Sequence, residues 1–347
     1  MTPPTSDLSQ VTDETRRVVV DAASLIDSLE RQACRTPPTR SSLLPFGLEP
    51  LDRVLGGGLR MHDLLVVAGR PGVGKTIITL QMARNLALNG TTVVFACFEH
   101  DPMTLLARLL AFEIGSVRMP HTDWYHIEGV RTLLDEVATG RVSFSSASTD
   151  PLMRAALARL GEYAHRLHLV RATPSETGLD ELQGIVGDVR SGPTVLFVDY
   201  LQKVRPAHES NTHLEHVAQV TAGLKEAALK SAFSVVAVSA ISSAGLMRRR
   251  IHLAHLDSAV AVGYDSDVVI LMNDKRSIVS ANQISNTLEQ ADRLRQRVVF
   301  TVEKNRGGIA PVDVEFVKDF EHFRFVPAGS YVAEQLIEDG ERDDFRS

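Results

Sequence analysis

The sequence predicts an α/β fold with a largely parallel sheet flanked by helices, and three observations carry that expectation. Apolar runs rich in β-branched residues, at 64–68, 93–98, 195–198, 235–238 and 268–272, alternate with helical stretches. Their hydrophobicity is continuous rather than alternating, which is the pattern of strands covered on both faces. Between the first run and an amphipathic helix (Ile77, Leu80, Ala83, Leu86, Ala87) lies a glycine-rich turn of the spacing Gly-x-x-x-x-Gly-Lys-Thr. Two further runs, 298–302 and 312–316, flank a turn-rich segment and read as a C-terminal β-hairpin.

Ahead of the first strand, residues 1–10 carry no periodic signal, whereas 13–34 place Val19, Ala22, Ile26, Leu29 and Ala33 at three- and four-residue intervals. That spacing gives an amphipathic helix. Pro37 and Pro38 then open a short polar linker over 35–42 that the helix cannot continue through. The helix packs either on its own domain or on a neighbouring subunit. The expected organisation is a disordered start, linker helix and linker over 1–42, one main domain over 43–330, and an acidic tail over 331–347 that is frayed from Glu334 onward. Residues 275–296 are polar and strand-poor, and read as a surface insertion or loop.

Composition narrows the class. With 347 residues, 44% hydrophobic and 23% charged, the chain can bury one large core without staples. Cys34 and Cys97 lie far apart and no Cys/His cluster has zinc spacing, so no disulfide framework or structural metal is expected, and a reducing cytoplasm fits. The N-terminus lacks a secretory pattern and no apolar run reaches the length of a membrane span. A net charge of −6 argues weakly against nucleic acid, since a local groove can be basic on an acidic protein.

The turn is the most specific signal. Gly69, Arg70, Pro71, Gly72, Val73, Gly74, Lys75 and Thr76 form a phosphate-binding loop, whose glycines let successive backbone N–H groups converge on phosphates at a helix N-terminus. Lys75 is placed to meet the β and γ phosphates of ATP, and the Thr76 hydroxyl to ligate Mg2+. Asp199 ends the run 195–198, where a carboxylate holds the magnesium shell. Glu99 ends the run 93–98 and is the candidate base for the attacking water, with helix capping as its rival role.

Together these residues resemble the C-terminal RecA-like motor domain of DnaB-type replicative helicases, over Phe46 to about Phe325. The resemblance rests on Phe46 to Asp52 with Gly56 to Leu59, the phosphate loop, Phe98-Glu99, the run 105–110, and above all Val198-Asp-Tyr-Leu-Gln202. It continues through Leu224-Lys225, Asp265-Ser-Asp-Val-Val269 and Lys304-Asn-Arg306-Gly. It implies a RecA-like P-loop ATPase, a homo-oligomeric ring, a hexamer, acting on single-stranded DNA. It also implies that Lys304 and Arg306 reach from one protomer to the nucleotide of the next; without it, both read as solvated turn residues beside Gly307-Gly308.

Three departures accompany it. The 45 residues ahead of the motor are too few for the separate helical domain with which the family recruits primase. Ser239-Ala240-Ile241 stands where the family carries a γ-phosphate-sensing Gln. Asp257 replaces an Arg in the DNA-facing loop, which reverses the local charge and weakens DNA contact, unless Arg248, Arg249 and Arg250 compensate. A regulatory or assembly ATPase of the same fold, with weakened or lost unwinding, is the second reading. A recombinase or clock-type relative is the third, disfavoured by Asp-Tyr-Leu-Gln. His100, His213, His216, His252 and His255 read as surface or loop histidines, Cys97 as a core residue, and Trp124 and Tyr125 as local packing.

Overall fold

The computed structural model describes residues 43–117, 150–280 and 288–337, with isolated positions in 21–30 and 132–141. The chain divides into two compact units, Met1–Ser42 and Leu43–Ser347. In the first, residues 22–24, 26 and 30 are helical; Val19, Leu29, Ala33, Cys34 and the linker prolines lie outside the described residues. So do Trp124, Tyr125 and residues 338–347.

In the second unit, β1 (Leu43–Leu44) and β2 (Leu59–Arg60) form a small antiparallel pair. The main strands are β3 (Leu64–Gly69), β4 (Thr92–Cys97), β5 (Leu167–Arg171), β6 (Thr194–Asp199), β7 (Ser234–Ser239) and β8 (Val268–Asp274). They are followed by β9 (Arg297–Asn305), β10 (Val312–Asp319), β11 (Arg324–Phe325) and β12 (Ser330–Tyr331). The sheet runs β11-β10-β9-β8-β3-β7-β6-β4-β5, with β12 also on β10. From β8 to β5 every pairing is parallel, and the remaining strands are antiparallel.

The continuous apolar runs have the predicted cause. Leu65, Val67, Val93, Phe95, Val195 and Phe197 bury themselves in a core on one face, while Leu64, Val66, Val94, Ala96, Leu196 and Val198 fill the core on the other. Phe95 and Phe197 stack at 5.7 Å between ring centroids. Sequence periodicity missed β5, because His168 interrupts its apolar run and the strand is only partly covered at the parallel edge.

Helix α1 (Lys75–Leu88) follows the glycine-rich turn and was expected to be amphipathic. It is instead buried on most of its circumference, Thr79, Gln81 and Arg84 included. Its polar side chains are satisfied internally, as burial requires. Gln81 donates to the Phe325 carbonyl (3.0 Å) and accepts the Phe325 N–H (2.8 Å), which ties β11 to the helix. Arg84 donates to both oxygens of Glu113, at 2.6 and 2.9 Å, and the Tyr163 hydroxyl donates to Glu113 Oε1 at 2.9 Å.

Two expectations for the C-terminal part need correction. Within 275–296 the start, at least, is not a surface insertion, because Lys275 is buried and pairs with Glu315 and, at 2.6 Å, with Glu334, while residues 281–287 lie outside the described residues. The tail boundary at 331 cuts through β12, and the chain beyond it docks: Ser280 N–H donates to the Gln335 carbonyl (3.1 Å) and Ile337 N–H to that of Ile278 (2.8 Å). Lys275 sits in a polar stretch that gives no hint of its buried partners.

Removing one partner of a buried ion pair leaves an uncompensated charge, so Glu113→Gln should cost about 3–5 kcal/mol in urea unfolding. A cost below about 1 kcal/mol would show that the Arg84–Glu113–Tyr163 cluster contributes no more than an exposed pair.

Candidate functional site

Parallel strands deliver their C-terminal ends to one edge, and the predicted site residues from β3, β4 and β6 meet there. Gly69, Pro71, Gly72, Gly74, Lys75, Thr76, Glu99 and Asp199 line a single cavity of about 460 Å³. Arg70 and Val73 do not line it. Val73 turns into the core, 1% exposed, and the Arg70 carbonyl accepts the Lys75 ammonium at 3.1 Å.

The loop's glycines have separable roles. Gly72 and Gly74 hold φ of +80° and +102°, which side-chain-bearing residues rarely adopt. A Cβ on Gly74 would also lie 2.8 Å from the Phe320 ring and 2.9 Å from that of Phe325. Gly69 is needed for close packing, since a Cβ there would meet the Met272 carbonyl at 2.7 Å. The segment after β10 thus buttresses the loop and the start of α1.

Lys75 Nζ donates to the Gly69 carbonyl at 2.8 Å. Burial lowers its pKa, opposed by the charges of Asp199 and Glu99. Thr76 Oγ1 donates to Asp199 Oδ2 at 2.7 Å. Asp199 is 2% exposed, and burial raises its carboxyl to about 6 despite the Thr76 hydrogen bond and the nearby positive charges of Lys75 and Arg108. A hydroxyl and a buried carboxylate brought together as hard oxygen donors fit a magnesium ion in the company of phosphate oxygens. The Asp199–Tyr200 peptide is cis.

Glu99 is exposed on the cavity wall and does not cap the next helix, α2 (Pro102–Ser116). Asp101 does so, accepting the Thr104 N–H at 2.8 Å. That removes the rival role for Glu99.

Several lining residues were not singled out from sequence. Arg108, 8% exposed, extends from α2 into the cavity wall, and its guanidinium lies 4.3 Å from the centroid of the Phe323 ring. An arginine inside the apolar run 105–110 was the available signal. Phe320 and Phe323 come from the far end of the chain and left none, although Phe323 holds a φ of +53°. Ala240 also lines the cavity, at the end of β7. Gln202 bridges that strand end, donating to Ser239 Oγ (3.0 Å) and accepting the Ala240 N–H (3.2 Å).

Lys304 and Arg306 are not brought to this cavity. Lys304 pairs with Val269, which aligns with Val66, three residues before Gly69. At roughly 3.3 Å per residue that is about 10 Å down the sheet, and the chain runs onward to the opposite edge. There the Arg60 guanidinium donates to the Gly307 carbonyl at 3.0 Å. Lys304 is on the strand rather than in the hairpin turn.

The loops beyond β6 and β7 also depart from expectation. Arg250 is not available to compensate for Asp257, because it is 4% exposed and donates to both oxygens of Asp313 at 3.0 Å. Arg248 and Arg249 are exposed. Asp257 Oδ2 lies 2.8 Å from His213 Nε2, and His252 Nδ1 2.5 Å from Glu303 Oε1. His216 Nε2 lies 2.8 Å from the Val204 carbonyl oxygen. His255 Nδ1 accepts the His252 N–H at 2.9 Å, and His100 lines the cavity.

Comparison with known proteins adds a family. The family model described as "DnaB-like helicase C terminal domain" matches residues 44–325. The replicative DNA helicase DnaB of Geobacillus stearothermophilus is 22% identical over 285 residues, covering 81% of this chain and 56% of that protein. The replicative DNA helicase DnaC of Bacillus subtilis is 24% identical over 296 residues, covering 82% of this chain and 58% of its own length. The chain therefore spans a little over half the length of these relatives. Among solved structures, a DnaB-like replicative helicase, described with its interactions with primase, superposes with a TM-score of 0.66 at 19% identity. That match covers 89% of this chain and 68% of the other.

The capping assignment has a direct check. Asp101→Ala should cost about 1 kcal/mol in urea unfolding, whereas Glu99→Gln should stay within about 0.5 kcal/mol of the parent. The reverse order would return Glu99 to a structural role.

Proposed function

The chain belongs to the DnaB-like helicase C terminal domain family, and on that footing we propose that it is an ATP-hydrolysing motor that assembles as a hexameric ring and acts on single-stranded DNA. The observation that carries this reading is a division of the site between two edges of one sheet. The phosphate loop, Glu99 and Asp199 meet at one edge, while Lys304 and Arg306 sit at the other, out of reach of their own cavity. A ring built on a head-to-tail contact can bring the second edge of each protomer to the first edge of its neighbour.

In this reading ATP lies with its phosphates on the N–H groups of Gly72 to Thr76, at the start of α1. Lys75 leaves the Gly69 and Arg70 carbonyls to meet the β and γ phosphates. Thr76 and Asp199 would hold Mg2+, which would supply positive charge to the phosphates when bound. Glu99 accepts a proton from the attacking water. Arg306 and Lys304 of the neighbouring protomer meet the charge that develops on the transferred phosphoryl group, so hydrolysis depends on assembly. No described helix is long and apolar enough to cross a membrane, and the reading places the protein in the cytoplasm.

Lys75→Ala should abolish ATP hydrolysis, and Glu99→Gln should keep ATP binding while slowing hydrolysis by at least about a hundredfold. Normal turnover in either variant removes that residue from the mechanism. Mixing Arg306→Ala with Lys75→Ala subunits should restore part of the activity, because mixed rings contain interfaces where an intact loop faces an intact arginine. No recovery in rings shown to be mixed would contradict a shared site. Single-stranded DNA should stimulate turnover. ATPase activity indifferent to DNA would instead favour a regulatory or assembly ATPase, consistent with Ala240 and Asp257.

A further inference from the structure

A trans-acting arginine is useful only if it is already aimed when the neighbour arrives, since misplacement of a catalytic group by about 1 Å can cost a hundredfold in rate. The residues around Arg306 and Lys304 show how the aim is set. Asp267, 6% exposed, lies between the helix α3 (Ala259–Asp265) and β8. Its Oδ2 accepts the Leu64 N–H at 2.8 Å and the Lys225 ammonium at 2.6 Å. Lys225 is itself held by the His62 carbonyl at 2.8 Å. Its Oδ1 accepts Arg306 at 3.2 Å, and its backbone carbonyl accepts the Arg306 N–H at 2.9 Å.

Arg306 is further tethered through the Tyr264 carbonyl, although its side chain is half exposed. Lys304 is caged beside it, donating to the carbonyls of Gly263 (2.5 Å), Tyr264 (3.5 Å) and Ser266 at the C-terminal end of α3. These carbonyls favour a cation there.

The arrangement is more than fold support. Lys225 and the Leu64 N–H already answer the charge of the buried carboxylate. A third contact, to a half-exposed arginine, adds little stability because solvent screens it. What it adds is orientation: the guanidinium is planar with five donors in fixed directions, so two tethers fix where its free N–H groups point.

We propose that Asp267, held by Lys225, is a positioning residue that presets Arg306 for the neighbouring protomer's nucleotide. The proposal rests on the shared-site reading and deepens it.

The test uses the full chain, with ATP turnover, ATP binding and subunit mixing measured for Asp267→Asn, which keeps an acceptor for Leu64. Turnover should fall about tenfold to a hundredfold with little change in KM, because the variant's own cavity is intact. Mixing with Lys75→Ala should restore activity, as it should for Arg306→Ala, and mixing with Arg306→Ala should not, since both damage the same half of the site. Asp267→Glu should recover part of the loss.

Wild-type turnover in Asp267→Asn overturns the proposal, as does recovery when it is mixed with Arg306→Ala. Failure of Arg306→Ala and Lys75→Ala to complement removes the shared site first, and the proposal with it. If Asp267→Asn does not fold, Lys225→Met takes the same assays, and normal turnover there overturns the proposal equally.

Discussion

Strand polarity is the constraint on which the rest of this molecule depends. Because the strands from β8 to β5 are parallel, the ends of β3, β4 and β6 are collected at one edge, and Gly69, Glu99 and Asp199 arrive together despite being far apart in sequence. The antiparallel addition of β9 has the opposite effect. It returns the chain to the other edge and leaves Lys304 and Arg306 away from their own cavity. In the proposed reading, one sheet carries two halves of a site that cannot meet within one protomer.

The cavity edge is held by packing as much as by hydrogen bonds. Phe320 and Phe325 press on Gly74 from the C-terminal segment, and Gln81 fastens β11 to α1 through both amide atoms. The phosphate loop is therefore stiffened by residues some 240 positions away. At the opposite edge, Asp267 plays the comparable part for Arg306. Both edges place a glycine turn or a charged side chain against a buried anchor, an arrangement that would suit preorganised chemistry.

Much of this was legible in the sequence, for identifiable reasons. Strands buried on both faces write themselves as continuous apolar runs, and a phosphate loop needs glycines at fixed intervals, so β3, β4, β6, β7 and β8 and the loop were readable. Partners that meet only through tertiary packing were not. Lys275 sits in a polar stretch yet is buried against Glu315. Arg250 looks like one of three exposed arginines until Asp313 is seen beside it. Phe323 carries no motif, and Arg108 is marked only as a charge among leucines. The rival capping role for Glu99 could be dismissed only once Asp101 was seen to cap α2.

The proposed division of the site between protomers would make turnover a property of the assembly, so the most direct measurement is ATP turnover per subunit across a dilution series, with the mass of the particle determined at each concentration in the presence of nucleotide. The account predicts that specific activity collapses as the oligomer dissociates, in step with the loss of shared interfaces. Constant turnover per subunit down to the monomer would contradict it, because a lone chain keeps Lys304 and Arg306 on the wrong edge of its sheet.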